Sequence, residues 1–509
     1  SIIKLSNFST SMLETIQNIC KEIYMIYSFS PFGYNGSIVS VEVDLRHGIP
    51  ATDIVGISDG AVKETRERVQ IAIRNSGLEY PSERVLISLS PADLKKEGTG
   101  FDLSIALGVL QKQFTEDVLV MGELELSGAI RPVRGVYAAC SNALASGIMY
   151  AIVPTENLNE ALETGIRAFG CDTLYEAYKL PDALSTRQIA TVDSYDNTIS
   201  FREPDEKLSI KMTEKEMLAL VVGASGRFNM MFFGSPGSGK TLLMQYMQYL
   251  TPSLTEEESM SVKRIYSLAG YGNKDENKVY PPFRIPHQTA SIEGIYGGGS
   301  NCRPGEITLA HNGVLFLDEA AEFRSSVLQM LRVPLENKTI TLSRAGRSTT
   351  YPANLQLLLA LNPCPCGNYR SKDKICLCSA KSVDMYWKKL GGSLLDRVPI
   401  RLHIDPSEGE RKEYTLEELQ SYVKRATEES RLLGITFRDL TVEQIYALIP
   451  ANVFDRLTMI AEKKEMSERR RYDLCRVWLT IVSSFGHSEE KFFEDIDKAL
   501  ELMGHFKFP

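Results

Sequence analysis

The spacing of apolar residues divides the first part of the chain into an extension and a folded domain. Residues 1–24 carry apolar side chains at roughly helical spacing and are interpreted as an N-terminal extension. From Ser37 the pattern changes to alternation in SIVSVEVDL and ERVLISLS, on either side of a helical stretch from Asp59 to Ser76. Residues 25–181 are therefore predicted to form an α/β domain.

A polar stretch with a proline near each end follows this domain, and it predicts a linker over residues 182–206. The order then becomes helix, strand, glycine-rich loop and helix, followed by the continuous apolar strands GVLFLD and LQLLLALN. Such strands between helices are typical of a parallel sheet covered on both faces, so residues 207–406 are predicted to be an α/β core. The charged, helix-forming residues 407–509 predict an all-α C-terminal domain.

Composition and charge exclude several classes of protein. The chain has 509 residues, of which 43% are hydrophobic and 24% charged, an ordinary composition for a folded protein of several domains. The net charge of −8 excludes a general attraction to nucleic acid, so any polyanion must meet a local patch. No apolar run reaches the roughly 20 residues of a membrane-spanning helix, and we recognise no signal peptide, so a cytoplasmic protein without a membrane partner is expected.

A glycine-rich loop is the strongest chemical signal in the sequence. The stretch GSPGSGKT has the GxxxxGK[ST] spacing, follows the apolar run NMMFF and opens an apolar helix. Lys240 is predicted to reach the β- and γ-phosphates of ATP, and the Thr241 hydroxyl to ligate Mg²⁺. The alternative is a glycine-rich turn with a solvated lysine. The predicted nucleotide-binding residues are Gly234, Ser235, Pro236, Gly237, Ser238, Gly239, Lys240 and Thr241.

Hydrolysis of ATP also requires groups that bind the metal ion and activate water. Three polar residues at strand ends are candidates for these roles. Asp318 and Glu319 end the buried strand GVLFL, where they are predicted to meet Mg²⁺ and the attacking water respectively. Asn362 ends the next apolar strand and suits contact with the lytic water or the γ-phosphate. The alternatives are solvated turns, and an Asn-Pro pair is usually a turn.

Four cysteines crowd into segment 364–378 as two CxC pairs, Cys364 with Cys366 and Cys376 with Cys378. Four thiolates suffice for a tetrahedral structural zinc site, although the spacing is tighter than the common CxxC. Reduced cysteines in a surface loop are the alternative. The site would hold the loop that leaves Asn362.

The order of these motifs resembles that of the AAA+ ATPases. The segments PFRIPHQTAS, GGGSNCRPGEITLAHNGVLFLDE and ALNPCPCG resemble one branch, the magnesium-chelatase-like proteins of the ComM/YifB type, and the resemblance runs from about Met25. It implies that Arg397 of LLDR is an arginine finger serving a neighbouring subunit and that Arg469 is the second sensor arginine. It also implies a homo-hexameric ring. Thr213-Glu214 replaces the family's Gly-Gln pair near the adenine, which leaves the adenine contacts unassigned.

The N-terminal domain resembles the Lon-type serine–lysine peptidase fold. The nucleophile position falls on Gly100 and the lysine position falls near Tyr137, so neither residue type that the chemistry needs is present. Ser104 and Lys95 lie close by in the sequence, but an offset of one to four residues turns a side chain to another face of a helix. We therefore expect a peptidase-inactive domain used for assembly or for binding a partner.

The sequence leaves two substrate classes open. The stretch between Asn337 and Asn354 contains Lys338, Arg344 and Arg347 without an acid, and its β-rich halves flank Ala345-Gly346, which predicts a hairpin with a basic tip. The resemblance implies a helicase that migrates single-stranded or branched DNA during uptake and recombination. The alternative is a magnesium-chelatase-like ATPase that remodels a protein partner or assists metal insertion.

Overall fold

Two compact units make up the chain in the computed structural model. One unit contains residues 1–194 with 266–275, and the other contains residues 195–265 with 276–509. The first boundary falls within the predicted linker, and the predicted extension 1–24 lies outside the described residues. The structure describes residues 25–56, 59–91, 96, 100–187, 195–272, 280–299, 302–344, 347–369, 375–486 and 488–504.

A mixed seven-stranded sheet with the order β3-β4-β2-β1-β5-β8-β9 organises the first unit. Its strands are β1 Ile26–Ser30, β2 Ser37–Arg46, β3 Thr52–Val55, β4 Arg84–Ser90, β5 Val118–Val120, β8 Tyr150–Pro154 and β9 Arg167–Cys171, with a separate pair β6 Glu123–Leu124 and β7 Ile130–Arg131. The α-helices are Asp59–Asn75, Asp102–Val109, Val136–Ala145, Leu158–Leu162 and Leu174–Lys179. The first helix ends one residue before the predicted end.

Alternation of apolar and polar residues explains how β2 and β4 present one apolar face to the core. The two strands pair antiparallel with Val41 beside Leu89 and Val43 beside Ile87. Val41, Ile87 and Leu89 are buried, and the residues between them are less covered. The period of two places the apolar side chains on one face, where helix Asp102–Val109 contributes buried residues to the same core.

A wholly parallel five-stranded sheet with the order β12-β15-β18-β11-β19 forms the centre of the second unit. Its strands are β11 Met230–Phe233, β12 Phe283–Arg284, β15 Val314–Leu317, β18 Gln356–Leu361 and β19 Ile400–His403. Every residue of β11, β15 and β18 is buried, because helices cover both faces of such a sheet. The α/β prediction is confirmed.

The helices of the second unit include those that cover its sheet and a group near the C-terminus. They are Glu214–Gly226, Lys240–Leu250, Ile292–Tyr296, Glu306–Leu309, Ser325–Met330, Arg332–Asn337, Ala380–Lys388, Gly392–Leu395, Leu416–Leu433, Val442–Leu448, Ala451–Lys463, Glu468–Phe485 and Phe492–Met503. Helix Glu256–Ala269 begins in this unit, and its last four residues belong to the first unit. Capping boxes at Thr213 and Thr441 satisfy N–H groups at the starts of two of these helices. None of the helices in the described part of the chain is long and apolar enough to cross a membrane.

Three short strand pairs complete the second unit. They are β10 Ser209–Met212 with β20 Lys412–Thr415, β13 Gly297–Gly298 with β14 Arg303–Pro304, and β16 Thr339–Arg344 with β17 Arg347–Pro352. The last pair confirms the predicted hairpin, although its tip residues lie outside the described part. Strand β20 lies within residues 407–509, which were predicted to be all-α, because a four-residue strand rich in polar side chains has no apolar pattern of its own.

Candidate active site

The glycine-rich loop connects β11 to helix Lys240–Leu250 at the carboxyl edge of the parallel sheet. Gly237 and Gly239 adopt φ values of 80° and 92°, which side chains other than glycine rarely adopt. A Cβ placed on Gly234 would lie 2.2 Å from the Ile404 carbonyl oxygen, so only glycine fits there. The loop therefore brings its backbone N–H groups and a helix N-terminus to one place, an arrangement suited to binding phosphate. We call residues 234–241 the phosphate-binding loop after this predicted role.

Lys240 lies inside this loop. Its Nζ donates hydrogen bonds to the carbonyl oxygens of Gly234, at 2.9 Å, and Ser235, at 2.8 Å. Burial lowers the pKa of Lys240, while the charges of Asp318 and Glu319 oppose that shift. A single ammonium group thus lies between the phosphate-binding backbone and two carboxylates.

Thr241 and Asp318 come together although they are far apart in the sequence. The Thr241 hydroxyl lies 3.1 Å and 3.2 Å from the two carboxylate oxygens of Asp318. Asp318 directly follows β15, and the helix that carries Thr241 directly follows the loop after β11. A hydroxyl and a carboxylate at this distance are suitable oxygen ligands for Mg²⁺ beside a bound nucleotide.

Glu319 has a strained backbone and an exposed side chain. Its φ of 49° and ψ of 46° lie in the left-handed region, and its N–H donates to the Asp318 carboxylate at 3.0 Å. Residues held in this region cost energy and are concentrated at functional sites. The turn directs the second carboxylate away from the core and leaves it available to water.

Asn362 completes the group of predicted residues at this edge. It follows β18, whose last residue Leu361 lies beside Phe233 in the register. The Gly234 N–H donates to the Leu361 carbonyl at 3.3 Å, so Asn362 is adjacent to the first glycine of the loop. The fold therefore gathers Lys240, Thr241, Asp318, Glu319 and Asn362 at the carboxyl ends of β11, β15 and β18.

The two predicted arginines lie at the opposite edge of the same sheet. Arg397 precedes β19, and its carbonyl accepts a 2.8 Å hydrogen bond from Asn229, the residue before β11. The glycine-rich loop begins after the other end of β11. At about 3.3 Å per residue, the strand separates Asn229 from Gly234 by about 16 Å.

Acidic side chains hold both arginines at that edge. Arg397 is 8% exposed and forms an ion pair with Glu336, whose carboxylate is also 3.9 Å from Arg469. Arg469 lies 3.6 Å from Asp396 as well. The hydrogen bond and the charge of Arg397, together with the charge of Arg469, lower the pKa of Glu336. Both arginines are therefore paired with acidic side chains at the edge opposite the phosphate-binding loop of their own chain.

The four predicted cysteines converge, and we call residues 363–369 with 375–379 the cysteine knuckle. The Sγ atoms of Cys364, Cys366, Cys376 and Cys378 all lie within 4.8 Å of one another. Three of their separations are 3.4 Å, 3.7 Å and 3.6 Å. Four sulfurs at about 2.3 Å from a tetrahedral zinc ion are about 3.8 Å apart, so the residues fit a structural zinc site.

The cysteine knuckle packs against the phosphate-binding loop. Gly367 has a φ of 76°, and a Cβ placed on it would lie 2.6 Å from the Pro236 ring. On the other side, Trp387 donates from its indole nitrogen to the Pro363 carbonyl at 3.1 Å. The contact between Gly367 and Pro236 joins segments far apart in the chain, and no sequence motif indicates it.

A cavity of about 500 Å³ lies between the start of helix Glu214–Gly226 and the residues around the end of β19. It is lined by Thr213, Glu214, Leu402, His403 and Asp405 among others. His403 and Asp405 flank Ile404, whose carbonyl contacts Gly234, so the cavity is close to the start of the phosphate-binding loop. The sequence signal for this cavity is that Thr213-Glu214 replaces the Gly-Gln pair of the family. The lining residues Leu402, His403 and Asp405 were not predicted from the sequence.

Acidic partners reduce the positive charge of the predicted basic hairpin. Lys338 lies at the base of the hairpin and forms a 2.7 Å ion pair with Asp439. Arg344 lies beside the tip, opposite Arg347 in the register, and forms a 2.9 Å ion pair with Glu293. Two of the three predicted DNA contacts therefore have a carboxylate partner from outside the hairpin.

The first unit has a cavity of about 530 Å³ at the predicted peptidase position. Gly100 and Phe101 line it, and Tyr137 is buried nearby with its N–H bonded to Glu160 at 3.0 Å. Ser104 is fully buried and donates to the Phe101 carbonyl at 2.8 Å. Lys95 lies outside the described residues. Within the described part, no lysine lines this cavity.

Two family profiles match this chain. A profile described as "Magnesium chelatase, subunit ChlI" matches residues 208–412, and one described as "Subunit ChlI of Mg-chelatase" matches residues 41–157. The parallel sheet, its edge residues and these matches define an α/β AAA+ ATPase core followed by a helical C-terminus.

Individual proteins match over most of the chain. The YifB protein of Escherichia coli is 36% identical over 386 residues, which are 75% of each chain. Competence protein ComM of Haemophilus influenzae is 35% identical over 393 residues, 75% of this chain and 76% of ComM. A shorter stretch of 129 residues is 28% identical to DNA repair protein RadA of Escherichia coli, covering 24% of this chain and 28% of RadA. The chain belongs to the magnesium-chelatase-like family that contains ComM and YifB.

The site geometry predicts different defects for two substitutions. We expect Lys240→Ala to abolish nucleotide binding, because the ammonium neutralises phosphate charge in the ground state. Glu319→Gln should leave binding intact and lower turnover by about 10²–10⁴, because that carboxylate acts only on water. Titration with a fluorescent ATP analogue and release of phosphate measure the two effects. Glu322→Gln, an exposed acid in the following turn, should behave as wild type in both. Equal affinity of wild type and Lys240→Ala would contradict the assignment.

Proposed function

We propose that this protein is an ATP-hydrolysing subunit of a homo-hexameric ring that moves single-stranded or branched DNA. One observation supports assembly into a ring. The phosphate-binding loop and the arginine pair lie at opposite edges of one sheet, so the arginines of one copy can serve only the nucleotide of another. A head-to-tail contact of this kind is heterologous, and rings close such contacts.

Each residue of the site has a distinct role in this proposal. Lys240 and the loop N–H groups bind the phosphates, and Glu319 orients the attacking water while Asn362 holds it near the γ-phosphate. A magnesium ion bound by Thr241 and Asp318 would neutralise charge that develops on the phosphates. Arg397 and Arg469 of the neighbouring copy complete the positive surroundings of the transferring group. The cavity beside Thr213 and His403 would accept the base of the nucleotide.

Support for DNA as the substrate comes from the hairpin and from relatives. The Arg344 and Arg347 side chains lie beside the tip of an exposed hairpin, where charged groups can contact a phosphate backbone. RadA is named as a DNA repair protein, and ComM as a competence protein. A helicase activity driven by the ring accounts for both features.

Remodelling of a protein partner is the second candidate. The ion pairs of Lys338 with Asp439 and of Arg344 with Glu293 favour it, because paired charges attract DNA weakly. The same ATPase ring would then act on a polypeptide or assist metal insertion. Binding of DNA distinguishes the two candidates.

We also propose that the first unit is not a peptidase and that the cysteine knuckle holds zinc. Gly100 offers no nucleophile, and the hydroxyl of Ser104 is bonded within the core rather than directed at the cavity. Zinc at the knuckle would fix the geometry of the loop that carries Gly367. The first unit would then serve assembly or partner binding.

Mixing experiments can test whether Arg397 acts between subunits. Arg397→Ala protein should bind ATP and hydrolyse it about 10³–10⁵ times more slowly, because the arginine stabilises the transferring phosphoryl group. An equal mixture with Lys240→Ala protein should regain about a quarter of wild-type turnover, if subunits mix at random in the ring. Only mixed interfaces combine an intact loop with an intact arginine.

The matched control replaces Lys240→Ala with the double variant Lys240→Ala/Arg397→Ala. That mixture has no intact arginine, so it should regain no turnover. An arginine that acted within its own chain would give no recovery in either mixture, and that result would contradict the ring interface.

The hairpin proposal predicts a change in the salt dependence of DNA binding. Arg344→Ala/Arg347→Ala should keep basal ATPase activity and weaken binding of single-stranded DNA. Loss of two phosphate contacts should flatten the slope of log K against log salt by about 1.4. Fluorescence anisotropy over a range of salt concentrations measures it. Arg46→Ala/Arg84→Ala, which removes two exposed paired arginines of the first unit, is the control. Unchanged binding in the hairpin variant would favour protein remodelling.

The zinc proposal predicts about one zinc ion per purified chain. Cys376→Ser/Cys378→Ser should lose the metal and bind nucleotide more weakly, because Gly367 would no longer be held against Pro236. Elemental analysis and nucleotide titration measure the two effects. Cys475→Ala, in helix Glu468–Phe485, should retain the zinc. Protein that contains no zinc when prepared without chelator would refute this part of the proposal.

A further inference from the structure

Two large apolar side chains of the cysteine knuckle are exposed to solvent. Ile375 is 82% exposed and Leu377 is 89% exposed. They alternate with Cys376 and Cys378, whose sulfurs turn toward the other two cysteines. The cysteine cluster therefore leaves the two apolar side chains on its outer side. Covering such side chains with another surface lowers the free energy, because apolar area is removed from water.

These residues lie beside the nucleotide site. The Cys376 sulfur is 3.6 Å from the Cys366 sulfur, and Cys366 is followed by Gly367, which contacts the Pro236 ring. The path from Leu377 to the exposed phosphate-binding loop thus runs through one packed cluster. Ile375 and Leu377 are therefore separated from the loop by little more than the cysteine cluster and Gly367.

A second copy of this chain is the occupant that the nucleotide site requires. Arg397 and Arg469 lie at the far edge of their own sheet, so the site is incomplete without arginines from another copy. This step rests on the proposed ring. DNA is a less favourable occupant, because its phosphates and sugars gain little from contact with isoleucine and leucine, and a base can contact them only at the cost of unstacking.

We propose that Ile375 and Leu377 form a subunit contact that docks on a neighbouring copy beside the nucleotide site. The metal-binding cysteines hold the two side chains in place for that contact, in addition to holding Gly367 against the loop. Removing the two side chains from water would stabilise that contact through the hydrophobic effect.

Assembly can be measured by sedimentation velocity with Mg²⁺ and a slowly hydrolysed ATP analogue. Ile375→Ser/Leu377→Ser should raise the concentration needed for half-assembly about tenfold or more for each side chain, because burying one such side chain is worth at least a tenfold change in an equilibrium constant. Leu377→Met, which retains an apolar side chain, should assemble close to wild type. Leu432→Ser is the matched control, because Leu432 is 86% exposed in helix Leu416–Leu433.

Zinc content and nucleotide affinity, measured on dilute unassembled protein, should stay at wild-type values in the serine variant, which shows that the knuckle is intact. If wild type assembles and the serine variant assembles equally well, the contact is wrong while the ring stands. If assembly is unchanged but binding of DNA or of a protein is lost, the patch serves that partner and the proposal is overturned. If wild type forms no oligomer with nucleotide, the proposed ring itself fails and this contact fails with it.

Discussion

Strands β15, β18 and β11 lie side by side in parallel, with Leu317 beside Leu359 and Leu361 beside Phe233. Because parallel strands end at one edge, the residues that follow each strand meet there although they are far apart in the chain. The phosphate-binding loop, the carboxylates and Asn362 all depend on this alignment. A shift of one residue in the register would turn each buried side chain to the other face and misplace the residue that follows.

The same alignment places the residues that precede the strands at the other edge of the sheet. The phosphate-binding loop and the arginines therefore lie at opposite edges of the sheet. Arg397 precedes β19 and lies beside Asn229, and its ion pair with Glu336 keeps it there. Because the Glu336 side chain is 47% exposed, this ion pair contributes little to stability. An anion of higher charge could therefore compete with Glu336 for Arg397. A nucleotide presented by a second copy is an anion of that kind.

The cysteine knuckle connects four converging sulfurs to the phosphate-binding loop. It follows Asn362 directly, and Gly367 approaches Pro236 more closely than any side chain would permit. A metal ion that fixes four sulfurs reduces the freedom of a loop without an extensive apolar core. A metal ion bound by the cysteines would stiffen the segment that contacts the phosphate-binding loop through Gly367 and exposes Ile375 and Leu377.

The sequence alone was enough to predict the α/β class, the hairpin and the residues that gather at the carboxyl ends of β11, β15 and β18. Each of these rests on a short pattern, such as the loop around Lys240 or an apolar strand ending in Asp318, and local backbone geometry suffices to interpret it. Tertiary structure decided which distant segments meet: β10 with β20, Gly367 with Pro236, and Arg344 with Glu293. No local pattern encodes such contacts, because they arise only when elements from different parts of the chain pack together.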